Sequence, residues 1–171
     1  MHLTDEQLQL KKIVQEFAQE VVAPVSYEHD KAHTFPYGVV KQMGEMGLFG
    51  LTFPEEFGGM GGDFLTLCLA LEELAKVDQS VAMTLEAGVS LGAMPVYRFG
   101  TQEQKDRFLP ALVTGQALGA CGLTEAGAGS DAGRTRTTGR LAHGGLAPHG
   151  AHAATPQRRP PPTPPRDPPA R

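Results

Sequence analysis

The sequence predicts a mainly α protein: a helical bundle that runs into the first strand of an incomplete β domain and ends in a disordered tail. Three observations support this. Apolar residues recur at helical spacing in segment after segment up to about residue 115. The first period change, to a short apolar run, comes only at residues 117–123. After residue 138 the composition turns to Gly, Ala, His, Pro and Arg, with nine of the 14 prolines in the last 33 residues.

Thr4 with Gln7 has the form of a capping box and opens the first helix, whose stripe is Leu10, Ile13, Val14, Phe17 and Val21, with Leu8 beside it. Pro24 is expected to close it, leaving residues 27–34 as a polar linker. His29 and His33 in that linker are i,i+4 neighbours, a spacing that by itself does not make a metal site, so ordinary solvated histidines are the reading. Phe35-Pro36 starts a second helix through Val39, Val40, Met43 and Met46, stopped by Gly47. Residues 48–54 are an apolar connector, and residues 55–62, with four glycines, read as a flexible connection.

Asp63 is placed to cap a helix over residues 64–77 that is apolar on nearly every face, and so is expected at the centre of the bundle. Ser80 is expected to cap the next helix, which carries Val81, Met83, Leu85, Val89, Leu91, Met94 and Val96 toward Phe99 and stops at Gly100. Pro95 should kink or divide it. Met83 and Met94 suit either ordinary packing or the lining of a greasy pocket. Thr101 with Gln104 repeats the capping box ahead of Phe108, Leu109, Leu112 and Val113, ending by Gly115.

Function classes narrow on charge. Residues 1–138 carry 10 Lys/Arg against 18 Asp/Glu, whereas residues 139–171 carry five Arg and one Asp. An acidic body argues against nucleic acid as a partner. There is no run long enough for a membrane span, and the acidic start is unlike an export signal. Cys68 and Cys121 sit in apolar surroundings and read as free thiols, pointing to a cytoplasmic location. The tail's Pro160-Pro161-Pro162-Thr163-Pro164 offers a PxxP pattern, and its composition cannot bury enough apolar surface to order itself.

The chemistry-bearing stretch is Cys121-Gly122-Leu123-Thr124-Glu125-Ala126-Gly127-Ala128-Gly129-Ser130-Asp131. Its composition alone leaves two readings: a strand followed by a tight turn, or a platform of backbone N–H groups and hydroxyls for a flat or anionic ligand. Gly127, Gly129 and Gly133 are spaced GxGxxxG, which is not the GxGxxG of a dinucleotide-binding turn. A phosphate-binding GK[ST] is missing, and Ala128 stands where a nucleophile elbow needs glycine, so Ser130 is a poor hydrolase nucleophile.

Leu123-Thr124-Glu125-x-Gly127-x-Gly129-Ser130-Asp131 resembles the LTEPxxGSD signature of the acyl-CoA dehydrogenase family. Glu45-Met46-Gly47-Leu48-Phe49-Gly50, Pro54-Glu55-Glu56-Phe57-Gly58-Gly59, Leu71-Glu72-Glu73-Leu74-Ala75, Ser90-Leu91-Gly92 and Arg98-Phe99-Gly100-Thr101 agree with it, in order, from residue 3 to about 138. The resemblance implies an N-terminal helical domain over residues 1–115, the start of a middle β-barrel domain over 116–138, and a tail over 139–171. It implies FAD as cofactor and α,β-dehydrogenation of an acyl-CoA thioester, the chemistry of fatty-acid β-oxidation. A carboxylate removes the α-proton while hydride passes to the flavin.

By the same resemblance, the Leu123 amide and the Thr124 hydroxyl and amide bind the flavin edge, with Cys121 beside the ring. Ser130 and the Gly129 backbone reach the FAD pyrophosphate and the CoA moiety, and Met83, Leu91 and Met94 lie near the acyl chain. The catalytic base belongs to a C-terminal domain without counterpart here, so no catalytic residue is assigned and the chain alone is expected to be inactive. Glu125 is structural at this position in the family, and Ala126 replaces the family's proline, a change expected to loosen the turn. A homo-oligomer and electron-transferring flavoprotein are the implied partners. The abrupt change near Gly139 predicts a shifted reading frame or truncation. A non-catalytic helical interaction module with a Pro-rich tail is the alternative function.

Overall fold

The computed structural model describes residues 2–142 and 145–149. The chain divides into two compact units, residues up to Gly119 and residues from Ala120 onward. The first unit is helical: α1 (Asp5–Phe17), α2 (Ala23–Ala32), α3 (Tyr37–Glu45), α4 (Phe64–Ala75), α5 (Gln79–Glu86), α6 (Met94–Phe99) and α7 (Gln102–Val113).

Local signals set most of the helix starts. The Thr4 hydroxyl accepts from the Gln7 amide at 3.2 Å while the Gln7 side chain accepts from the Thr4 amide at 3.1 Å. Thr101 and Gln104 make the same reciprocal pair at 3.3 and 2.9 Å. Asp63 accepts from the Thr66 amide at 2.8 Å and caps α4. The cap of α5 is Asp78 rather than Ser80: one carboxylate oxygen accepts from the Ser80 and Val81 amides at 2.8 and 3.1 Å. A carboxylate satisfies two orphan amides at once, and the Ser80 hydroxyl donates to it as well, at 2.6 Å.

Pro24 does not end the first helix. A π-helical stretch, Ala18–Val22, carries α1 into α2, and the Ala23 amide reaches back five residues to the Ala18 carbonyl. The widened turn absorbs the donor that proline lacks, and Pro24 then sits in the first turn of α2, where that donor is not required. Residues 27–32, expected as linker, are therefore helix. His33 ends it in the left-handed conformation at φ 52°, and the His29 Nδ1 lies 2.8 Å from the Thr34 hydroxyl. Pro95 repeats the device. The π-helical stretch Ala87–Ala93 precedes it, with the Met94 amide bonded to the Val89 carbonyl, so the long helix is divided into α5 and α6.

The core of this unit gathers Val14, Val22, Met43, Leu74, Leu85, Leu109 and Val113 with the connector residues Leu48, Phe49, Leu51 and Phe53. That explains the apolar connector: it crosses the interior. Helix α4 packs against α1 and α5, but it is not buried all round, since Phe64 and Cys68, one turn apart, stay exposed. Its Glu73 is buried and takes two ammonium partners, Lys76 at 2.7 Å and Lys11 of α1 at 3.3 Å, which removes the penalty of an unpaired buried charge.

The 55–62 loop is not a loose connection. The amides of Gly59, Met60, Gly61 and Gly62 bond to the carbonyls of Pro54, Gly50, Phe53 and Leu51 at 2.8–3.1 Å. A Cβ on Gly59 would stand 2.1 Å from the Phe53 carbonyl oxygen, so the chain closes there only because residue 59 has no side chain.

The second unit holds a tight turn, a short 3₁₀ turn (Ala132–Arg134) and an antiparallel hairpin, β1 (Thr138–Ala142) with β2 (Gly145–His149). Two expectations are corrected. Residues 117–123 do not form a strand. The Ala117 amide bonds back to Ala111 at 2.9 Å, and among the described residues no backbone hydrogen bond engages residues 118–124. An extended run becomes a strand only with a neighbour, and the only sheet described pairs β1 with β2 alone. Residues 139–142 and 145–149, assigned to the tail, belong to that hairpin in the register Thr138↔His149 to Ala142↔Gly145. The PxxP segment lies outside the described residues.

Candidate functional site

The Gly-rich stretch is organised by a four-residue turn. The Glu125 amide bonds to the Ala128 carbonyl at 3.0 Å and the Ala128 amide returns to the Glu125 carbonyl at 3.1 Å. Thr124 and Gly129 flank that closed pair in the chain, with Leu123 and Ser130 one residue further out.

Glu125 then ties the turn to the approach to β1. Its two carboxylate oxygens accept from the Arg136 amide at 2.8 Å, the Thr137 amide at 2.8 Å and the Thr137 hydroxyl at 2.6 Å. A carboxylate engaged three times over is an anchor and is not poised to take a proton from a substrate. Sequence reasoning missed Thr137 as its partner. Nothing local marks a threonine twelve residues downstream as the far end of a hydrogen bond.

Around this anchor the donors are unspent. The Leu123, Thr124, Gly129 and Ser130 amides, and the Thr124 and Ser130 hydroxyls, make no hydrogen bond within the protein among the described residues. Leu123 is 55% exposed; Thr124, Gly129 and Ser130 are exposed and Cys121 is half-buried. Gly127 and Gly129 have φ outside the left-handed region, and a Cβ on either would meet nothing within 4 Å. The fold thus leaves both glycines optional. Their effect is to keep the backbone bare where a ligand's polar edge or phosphate can approach N–H groups.

Met83, Leu91 and Met94 belong to the helical unit. Met83 on α5 and Leu91 on the π-helical stretch are 49% and 42% exposed. Met94 packs against the core. Ordinary core packing therefore accounts for Met94 but not for Met83. The π-helical stretch also carries Gly92, whose backbone touches that of Gly119: a Cβ on Gly92 would stand 2.8 Å from the Gly119 Cα. Sequence reasoning did not foresee this contact, because the two glycines are 27 positions apart and neither lies in a turn motif.

Among the described residues no three His, Cys, Asp or Glu side chains converge as a metal site, and no helix is long and apolar enough to cross a membrane. The half-buried Asp78 carboxylate lies below its ordinary value. Burial pushes it up, but hydrogen bonds from Ser26, Ser80 and the Val81 and Ser80 amides outweigh that and leave it below 3.8.

The family pattern described as acyl-CoA dehydrogenase, N-terminal domain, matches residues 4–116. A probable acyl-CoA dehydrogenase of Bacillus subtilis (strain 168), YngJ, is 49% identical over 135 residues, covering 79% of this chain and 36% of that protein. A solved structure described as the electron transferring flavoprotein of Acidaminococcus fermentans superposes with a TM-score of 0.86 at 44% identity, covering 91% of this chain and 41% of that one. The acyl-CoA dehydrogenase of Bacillus anthracis, solved in complex with FAD, gives a TM-score of 0.75 at 35% identity, over 86% of this chain and 26% of that one. The chain spans about a third of the length of the curated relatives it matches.

Proposed function

The chain belongs to the acyl-CoA dehydrogenase family, and from that membership we propose that residues 121–130 form one wall of an FAD site serving the α,β-dehydrogenation of an acyl-CoA thioester. The observation that supports this reading most is the set of unspent donors on a closed turn whose glycines the fold does not itself require. The donor chemistry fits the group. The Leu123 and Thr124 amides and the Thr124 hydroxyl would hydrogen-bond the carbonyl and nitrogen acceptors of the flavin edge. The Ser130 hydroxyl and Gly129 backbone would donate to pyrophosphate oxygens, and Cys121 would lie beside the ring.

Bound FAD supplies the hydride acceptor for the substrate's β-carbon. The second unit's part is to hold that acceptor by hydrogen bonds; separately, on the helical unit, the exposed Met83 and Leu91, with Met94 half-buried against the core, are the apolar residues proposed for the acyl chain. Proton removal from the α-carbon is assigned to no residue of this chain, because Glu125 is occupied by Arg136 and Thr137. With no base assigned, the chain by itself is expected not to turn over acyl-CoA.

For the whole enzyme the same proposal includes a homo-oligomer and an electron transferring flavoprotein as electron acceptor; a structure described as such a flavoprotein is among those the chain matches. The free thiols Cys68 and Cys121 suit a reducing, cytoplasmic compartment.

The test is titration of the purified chain with FAD, followed by flavin fluorescence. Saturable quenching that weakens in Thr124→Ala and Ser130→Ala supports the wall. A folded protein with no response favours the interaction-module reading, and bleaching of bound flavin by an acyl-CoA with no full-length homologue present overturns the claim of inactivity.

A further inference from the structure

We draw no further inference here: the strongest candidate, the open cleft of about 850 Å³ bordered by α2, the 33–36 turn and the α4–α5 connection, has its Ser26, His29 and Asp78 side chains hydrogen-bonded within the protein, and nothing in the structure shows what would occupy it.

Discussion

Glycine does different work in the two units. In the helical unit it allows backbones to touch. Gly59 lies against the Phe53 carbonyl, a Cβ on Gly119 would stand 2.4 Å from the Gly92 Cα, and one on Gly115, at φ 70°, would stand 2.8 Å from the Gly44 Cα. In the Gly-rich turn, Gly127 and Gly129 have open space in the direction of a missing side chain and an ordinary φ. The first set is explained by packing and the second is not, so the second is where a function outside the fold has to be sought. Glycine content alone would have treated both regions as flexible, and the 55–62 loop shows how wrong that is.

The comparison breaks first at Gly59. Gly59→Ala places a methyl against a backbone carbonyl, which cannot rotate away, so we expect a loss of about 3 kcal/mol, the upper end for overpacking. Urea denaturation followed by helical circular dichroism measures it. A midpoint equal to the parent's would mean that the loop yields and that the close approach is not a constraint.

Asp78 is next. Asp78→Ala removes the α5 cap and its bond to Ser26, at a cost of about 1 kcal/mol. Because the folded carboxylate lies below its ordinary 3.8, its contribution is fully present above that pH and is lost as pH falls through the folded value. The stability difference between parent and variant should therefore narrow below pH 4. A gap that stays constant into acid would assign the effect to packing rather than to the charge.

These residues also show which parts of the fold were legible in the sequence. Thr4/Gln7 and Thr101/Gln104 were readable because a capping box spans only three residues and needs nothing from the rest of the chain. Pro24 misled because its cost depends on the turn before it, and the π-helical stretch Ala18–Val22 had already widened that turn. Ser80 and Asp78 are two residues apart and both are good caps, so only the geometry separates them. The strand expected at 117–123 failed for a non-local reason: apolar residues make an extended run possible, but a ladder needs a partner that local sequence cannot supply. At the candidate site a motif singled out Thr124 and Ser130, whose donors the fold leaves unspent, while the anchor partners Arg136 and Thr137 carried no local signal.

A smaller effect should come from the turn itself. Ala126 stands where the family motif has proline, yet the turn is closed at both hydrogen bonds, so the substitution has not opened it. The Ala126 amide has no partner within the protein among the described residues, and Glu125 before it is in bridge pairing, an extended setting that a following proline favours. Ala126→Pro should therefore stabilise the turn by about 0.4–1 kcal/mol, by restricting the unfolded chain. Slower hydrogen exchange at the Glu125 and Ala128 amides would register it, and faster exchange would show that the residue-126 backbone is not one proline accepts.

The smallest effect on stability is expected at Gly129, and it is the most informative. Gly129→Ala adds a methyl where nothing lies within 4 Å and at a φ open to any residue, so the denaturation midpoint should move by no more than about 0.5 kcal/mol. The same methyl would stand on the backbone whose N–H groups are proposed to meet a phosphate, so FAD quenching should weaken while the fold is untouched. That separation, stability kept and ligand response lost, is the reverse of Gly59→Ala, which strains the fold at a position with no part in the site. If Gly129→Ala instead destabilises as Gly59→Ala does, the two sets of glycines are one class and the turn is scaffold. If stability and FAD response are both unchanged, the bare backbone at Gly129 faces no ligand, and the wall must be carried by the other proposed contacts, Leu123, Thr124 and Ser130.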